Sequence, residues 1–186
     1  MELYIIIGIL SILLIYILIV FNSLTRLNNK VKEAFATMDV YLKKRWDLIP
    51  NIVETVKGYA DHEKDTFESV VNLRNSVYDD MKTNDKIDTN DQLTKNISKL
   101  MLLSEAYPEL KANSNFFDLS NQLKKVEEDI AQSRKYYNAV VRTMNNKVQM
   151  FPSNIIAFLF RFKEKKFFEA TEIERENIEV DLKWKE

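Results

Sequence analysis

Cysteine is absent and histidine occurs once, so disulfides, thiol catalysis, cysteine-ligated metals and any site needing two histidines are excluded. Two Gly and three Pro in 186 residues leave little turn chemistry for a many-stranded sheet. Nor is there a surplus of one charge. The chain has 27 Lys and Arg against 28 Asp and Glu, and Glu2 is the only charge before residue 22. A general nucleic-acid binder needs a basic surface to neutralise phosphates, so that class is excluded as well. P-loop, GxGxxG, GxSxG and DxDxDG patterns are all missing. What is abundant is Lys, Glu, Leu and Asn within 46% hydrophobic content, which suits helices, one domain and one anchor.

Leu3 to Phe21 is an uncharged run of 19 residues dominated by Ile and Leu. As a helix it spans about 28 Å, against a hydrocarbon thickness of ~30 Å. A cleaved signal peptide would need a basic leading segment, a shorter apolar core and a small-x-small cleavage site. Here Glu2 leads the run and FNSLTRLNN follows it, so the uncleaved transmembrane anchor is the better reading. No Lys or Arg precedes the span, whereas Arg26, Lys30 and Lys32 follow it closely. The positive-inside rule then places the N-terminus outside and the remainder in the cytoplasm.

Beyond the anchor, Leu24, Leu27, Val31, Ala34, Met38 and Tyr41 recur at alternating spacings of 3 and 4, which predicts a first helix running to about Trp46. Lys43, Lys44 and Arg45 fall in its last turn, where cations complement the helix C-terminus. A lipid-binding role for that run is disfavoured by the roughly 26 Å of helix between it and Arg26. Pro50 predicts a corner at Asp47–Pro50 and a second helix carrying Ile52, Val56, Tyr59, Phe67, Val70, Leu73, Val77 and Met81. Gly58 within it marks a close helix approach or a soft point. Lys82–Asp91 is polar apart from Ile87 and is predicted to be an exposed loop. A third helix carries Leu93, Ile97, Leu100, Leu103 and Tyr107 and stops at Pro108. Asn113-Ser114-Asn115 supplies capping side chains for a fourth. Its stripe is the strictest in the chain: Leu119, Leu123, Val126, Ile130, Ser133, Tyr137, Val140 and Met144. Such a stripe needs facing helices, and an antiparallel, up-and-down four-helix bundle satisfies it. A coiled-coil dimer is the alternative, so a homo-oligomer stays open.

Phe151-Pro152 ends the fourth helix. The following SNIIAFLFRFKEKKFF is apolar with a basic trailing half. It is read first as a short helix capping the bundle. The other reading is an interfacial helix dipping Phe158, Phe160 and Phe162 into lipid, with Arg161 and Lys163 at the headgroups. The acidic end reads as a partly ordered tail. The domains are thus 1–22 (anchor), 23–150 (bundle) and 151–186 (short amphipathic helix and tail). His62 in ADHEK, with Glu63 and Glu54 or Glu68, would be the only metal or general-base candidate. Without a second His it reads instead as a surface or interhelical residue. No catalytic residue, cofactor or metal ligand is assigned.

The run DVYLKKRWDLIPNIVETVKGYADHE resembles the signature region of the LemA family. The resemblance continues through EAYPELKANSNFFDLSNQLKKVEEDIAQSRKYYNAVV, FPSNIIAFLF, and the FFEA and VDL near the end. Phe35 stands where that family usually has Trp, Trp46 where it has Tyr, and Arg161 where Gly commonly follows the Leu-Phe pair. With Arg161 there, a tight turn at that point is not expected. The resemblance implies a protein anchored in the bacterial inner membrane with an antiparallel helical bundle and no established catalytic residues. Together these readings predict a non-enzymatic scaffold or interaction protein held in the lipid bilayer by residues 3–21, with unidentified protein partners and no nucleic acid. Asp47, Pro50, Asn51, Glu54, Tyr59, His62 and Glu63 are richer than packing requires and form its candidate partner surface. A protein that senses or remodels membrane through 151–168 is the alternative function.

Overall fold

Leu24, Val31, Ala34 and Met38, the stripe that follows the apolar run, are all buried in one core with Leu123, Val126, Ile130, Val140 and Met144. A computed structural model places them and describes residues 1–59, 81 and 83–168. Every regular element among the described residues is α-helical: α1 (Glu2–Lys57), α2 (Thr83–Ala106), α3 (Pro108–Ala112), α4 (Ser114–Gln149) and α5 (Ser153–Leu159). Three long helices, α1, α2 and α4, build the core, and α1 with α4 forms the most extensive pair. Most of the predicted second helix, including Phe67, Val70, Leu73 and Val77, lies outside the described residues, as do His62, Glu63 and the acidic tail.

The predicted corner at Asp47–Pro50 is corrected, because α1 passes through Pro50 without ending. Proline removes one helical hydrogen bond and crowds the carbonyl of Trp46, at a cost of about 3 kcal/mol. Beyond it Ile52, Val53 and Val56 are buried. At about 1.5–3 kcal/mol each, their burial outweighs the proline. The helix ends at Gly58, which keeps right-handed φ and ψ of −66° and −13°. A Cβ there would meet only the Thr55 carbonyl at 3.7 Å, so no described helix approaches closely.

The second correction concerns Lys82–Asp91. Residues from Thr83 onward lie in α2, with Ile87 and Asn90 buried. The predicted stops and caps do occur: α2 ends at Ala106, Pro108 opens α3, and the Asn113 side chain accepts from Phe116 N–H at 3.0 Å to cap α4.

Direction follows from the contacts. Phe35 stacks edge-on against Tyr137 at 5.9 Å, Arg45 donates to Glu127, and Asn113 donates to the Tyr59 hydroxyl at 2.9 Å. In every pair the two residue numbers add to 172. That constant marks an unbroken antiparallel register from Phe35 to the end of α1, about 33 Å, and on to Tyr59. Lys86 meets Asp39 at 2.8 Å while Arg45 meets Asn90 and Thr94, so α2 runs parallel to α1.

Arg45 ties the three helices together. Placed by sequence in a helix-ending basic run, it is instead 1% exposed in the middle of the core. Its Nη1 donates to both Glu127 carboxylate oxygens (2.9 and 3.2 Å) and to the Thr94 hydroxyl (3.0 Å). Nη2 donates to the Asn90 carbonyl at 3.2 Å and to its side-chain oxygen.

A short helix does follow Phe151-Pro152, as α5, and after it the chain is not helical. Residues 162–168 form an extended strap along α4. Asn145 donates to the Lys165 carbonyl and accepts from its N–H, at 2.9 and 2.8 Å. Asn138 does the same with Phe168, at 2.7 and 2.9 Å. Seven residues of helix rise about 10.5 Å and three extended residues about 10 Å, so the two asparagines match the strap's repeat. Phe168 is buried beneath the Arg134 guanidinium, 4.4 Å from its ring centre.

Two outcomes follow for stability. Arg45→Ala is expected to lower the unfolding free energy of the detergent-solubilised chain by about 3 kcal/mol, since it strands polar groups that the guanidinium satisfied. Removing both charges with Arg45→Met and Glu127→Gln should cost less in the same melts. Tyr137, whose hydroxyl donates to the Lys166 carbonyl at 3.0 Å, has its pKa raised above 10.0 by burial. The folded state therefore keeps this proton where the unfolded chain loses it. Stability is full below about pH 10 and falls as pH rises toward the raised value. Tyr137→Phe is expected to flatten that alkaline decline in Tm.

Candidate membrane-facing site

Helix α4 runs back toward the apolar half of α1 and ends beside it. The turn that closes α4 is built by Ser153, whose hydroxyl donates to the carbonyls of Lys147 (2.7 Å) and Met150 (2.9 Å). Its burial fixes the start of α5 against the core, and Ile156 and Ala157 bury the inner face of that helix. The outer face stays open. Phe158 is 88% exposed and Phe151 78%, with Met150, Ile155 and Leu159 exposed around them.

Helix α5 ends in a pair of capping bonds. Phe162 N–H donates to the Ala157 carbonyl at 2.9 Å and Arg161 N–H to that of Phe158 at 3.1 Å. This pattern needs a left-handed residue after the cap, commonly glycine. Arg161 takes that conformation with φ of 58°. The tight turn not expected with Arg at this position is therefore made. It folds Phe160 and Phe162 back onto Phe21, with ring centres 4.7 and 5.9 Å apart. The aromatic segment thus abuts the last turn of the apolar run.

That run is long and apolar enough to cross a membrane, and only 6% of its most apolar stretch is buried inside the protein. Ile5, Ile9, Ile12 and Ile19 are each more than half exposed. The open face of α5 and the open surface of α1 therefore form one apolar region at one end of the molecule.

Two grooves flank it. One of about 550 Å³ lies between α1 and the end of α4, lined by Tyr16, Ser23, Arg26, Asn146, Lys147 and Phe151. The other, about 580 Å³, shares Arg26 and adds Asn29, Lys30, Glu33 and Tyr136. Neither Arg26, Lys30 nor Lys147 pairs with a described carboxylate. A larger groove of about 710 Å³ between α2 and α4 is lined by Ile97, Met101, Leu102, Leu123 and Glu127.

Of the residues predicted to face lipid, Phe158, Arg161 and Lys163 are exposed, while Phe160 and Phe162 divide their surface between Phe21 and solvent. Met150, Phe151, Ile155 and Leu159 belong with them. Their positions follow from the turn geometry, which leaves no periodic signal in so short a segment.

The predicted partner surface lies at the opposite end. Asp47, Asn51 and Glu54 are exposed and share one face of α1 by their spacing of 4 and 3. Asp47 accepts from Lys43 at 2.8 Å, and Pro50 is half-buried. Tyr59 accepts from Asn113. Asp47, Asn51 and Glu54 thus form a stripe on a continuous helix, and α1 makes no corner at Pro50. His62 and Glu63 are outside the described residues, among which no three His, Cys, Asp or Glu side chains converge as metal ligands would.

The family model for "LemA family" matches residues 34–182. The chain belongs to the LemA family. Its relatives include "Protein LemA" of Metamycoplasma hominis, 24% identical over 160 residues, which cover 86% of this chain and 73% of that protein. Two magnetosome proteins of Paramagnetospirillum magneticum, MamQ 1 and MamQ 2, are each 30% identical over 73 residues. Those matches cover 39% of this chain and 27% of each magnetosome protein. This LemA-family chain joins its apolar run to its core through one helix, and its family match begins at Ala34, inside that helix.

Proposed function

We propose that this LemA-family chain is a single-pass, non-enzymatic helical scaffold of the bacterial inner membrane, with its N-terminus outside and its helical body in the cytoplasm. The continuity of α1 carries this reading. Val20 and Leu24 are already core residues, so cleavage after the apolar run would cut a helix whose next turns hold the fold together. A run of exposed Ile and Leu this long far exceeds the apolar patches that soluble monomers leave in water. A bilayer supplies the medium it needs. The cations Arg26, Lys30 and Lys32, which follow the run with none before it, support the sidedness. An up-and-down four-helix bundle belongs to the same proposal, and the predicted second helix that it needs, with Phe67, Val70, Leu73 and Val77, rests on sequence periodicity.

The distal stripe is where protein partners would bind. Asp47 to Glu54 stand about 39–50 Å along α1 from the end of the apolar run, within reach of soluble proteins. Their polar side chains face outward while the opposite face of the helix fills the core. A second reading, in which residues 151–168 sense or remodel the membrane surface, is favoured by the exposure of Phe151 and Phe158.

Protease added to intact spheroplasts is expected to leave a C-terminal tag uncut, and digestion of the tag would reverse the sidedness. Because the chain has no cysteine, Asn51→Cys offers a unique attachment point for a benzophenone crosslinker. Adducts formed from this position are expected to disappear when Asp47→Ala and Glu54→Ala are added. Unchanged adducts would remove the stripe from the proposal.

A further inference from the structure

The groove between α1 and the end of α4 spans two chemical environments. Tyr16 lies five residues before the end of the apolar run and Arg26 five residues after it, so the groove extends about 7.5 Å to either side of the hydrocarbon boundary. The polar layer of a bilayer is itself about 5–8 Å thick on each side. The deep end is apolar and aromatic, formed by Tyr16 and Phe151. The shallow end carries two cations from different helices, Arg26 and Lys147, with Ser23 and Asn146 as neutral hydrogen-bonding groups. Neither cation pairs with a described carboxylate, and no described Asp or Glu lines the groove.

We infer that this groove seats one anionic phospholipid, its phosphate held by Arg26 and Lys147 and its upper acyl chain lying along Tyr16 and Phe151. The inference rests on the proposed membrane tether and adds to it a ligand class. Its components agree in sign and depth. Arginine and lysine recognise phosphate by charge-assisted hydrogen bonds. The leaflet facing the proposed cytoplasmic side is the anionic one, and each nearby cation there favours an anionic lipid about fivefold. The open face of α5, with Phe158 and Leu159 exposed, continues the apolar surface beside the groove, so the lipid would have hydrocarbon on its outer side.

The test uses the full chain reconstituted in phosphatidylcholine bilayers, with spin-labelled phosphatidylglycerol or phosphatidylcholine added as the probe. Motionally restricted probe, read by electron paramagnetic resonance, gives the relative association of the two headgroups. The expected result is a preference for phosphatidylglycerol of about fivefold or more in the unaltered chain. It should fall toward unity in Arg26→Gln/Lys147→Gln and persist in Arg26→Lys/Lys147→Arg. Lys30→Gln, outside this groove, should leave it largely intact. No preference in the unaltered chain, or an equal preference in the Arg26→Gln/Lys147→Gln chain, would overturn the inference. Loss of the preference on adding inorganic phosphate at about 10 mM would also overturn it, in favour of a soluble phosphate ligand. Failure of the unaltered chain to float with phosphatidylcholine vesicles would instead overturn the tether reading itself. Flotation without headgroup preference would sink the groove alone.

Discussion

The guanidinium of Arg45 is the constraint on which the helical core depends. A buried charge is costly unless nearly all its donors are met, and here the acceptors come from two other helices, Asn90 and Thr94 on α2 and Glu127 on α4. A slide of either helix by one turn would bring a different set of side chains opposite a group that apolar contacts cannot satisfy. Burial of Leu24, Met38, Ile130 and Met144 drives association without fixing register. The arginine supplies what is missing. The constant antiparallel offset from Phe35–Tyr137 to Tyr59–Asn113 is the outcome.

Much of this was legible in residue spacing. The alternation of 3 and 4 in α4 marked a buried stripe, and Leu123, Val126, Ile130, Tyr137, Val140 and Met144 are buried. Asn113, Pro108 and Pro152 mark boundaries through local chemistry, which spacing and residue type express directly. Failures arose where tertiary contacts overrode local preference. Pro50 looked like a corner because its intrinsic effect is strong, yet three apolar residues beyond it gain more by staying in line. Residues 83–91 looked like a loop because a polar run hides that Asn90 serves a buried arginine. In the basic half of 151–168 apolar and basic residues are intermixed, so spacing there marks no element. Its backbone is captured by Asn138 and Asn145, whose role depends on what lies alongside them. Phe151 and Phe158 share a surface with the apolar run only because a turn at Arg161 and the closure of α4 bring them there.

The two ends of the body differ in kind. At one end the surface is apolar and aromatic, flanked by cations from α1 and α4 that pair with no described carboxylate. At the far end α1 presents Asp47, Asn51 and Glu54. Between them the strap of residues 162–168 runs from the apolar end along α4, held by four hydrogen bonds to two asparagines. At Phe168 the strap is directed away from the apolar end.

One unbroken helix from the apolar run to Lys57 makes the molecule a lever. The part of α1 beyond Phe21 measures about 54 Å. A tilt of about 20°, ordinary for a membrane-spanning helix, would swing its far end sideways by about 18 Å. With no hinge between the two halves, a change in bilayer thickness that altered the tilt would be magnified into displacement of the distal stripe. In the tethered scaffold proposed above, the area swept by the polar end would then be set by the lipid that holds the other.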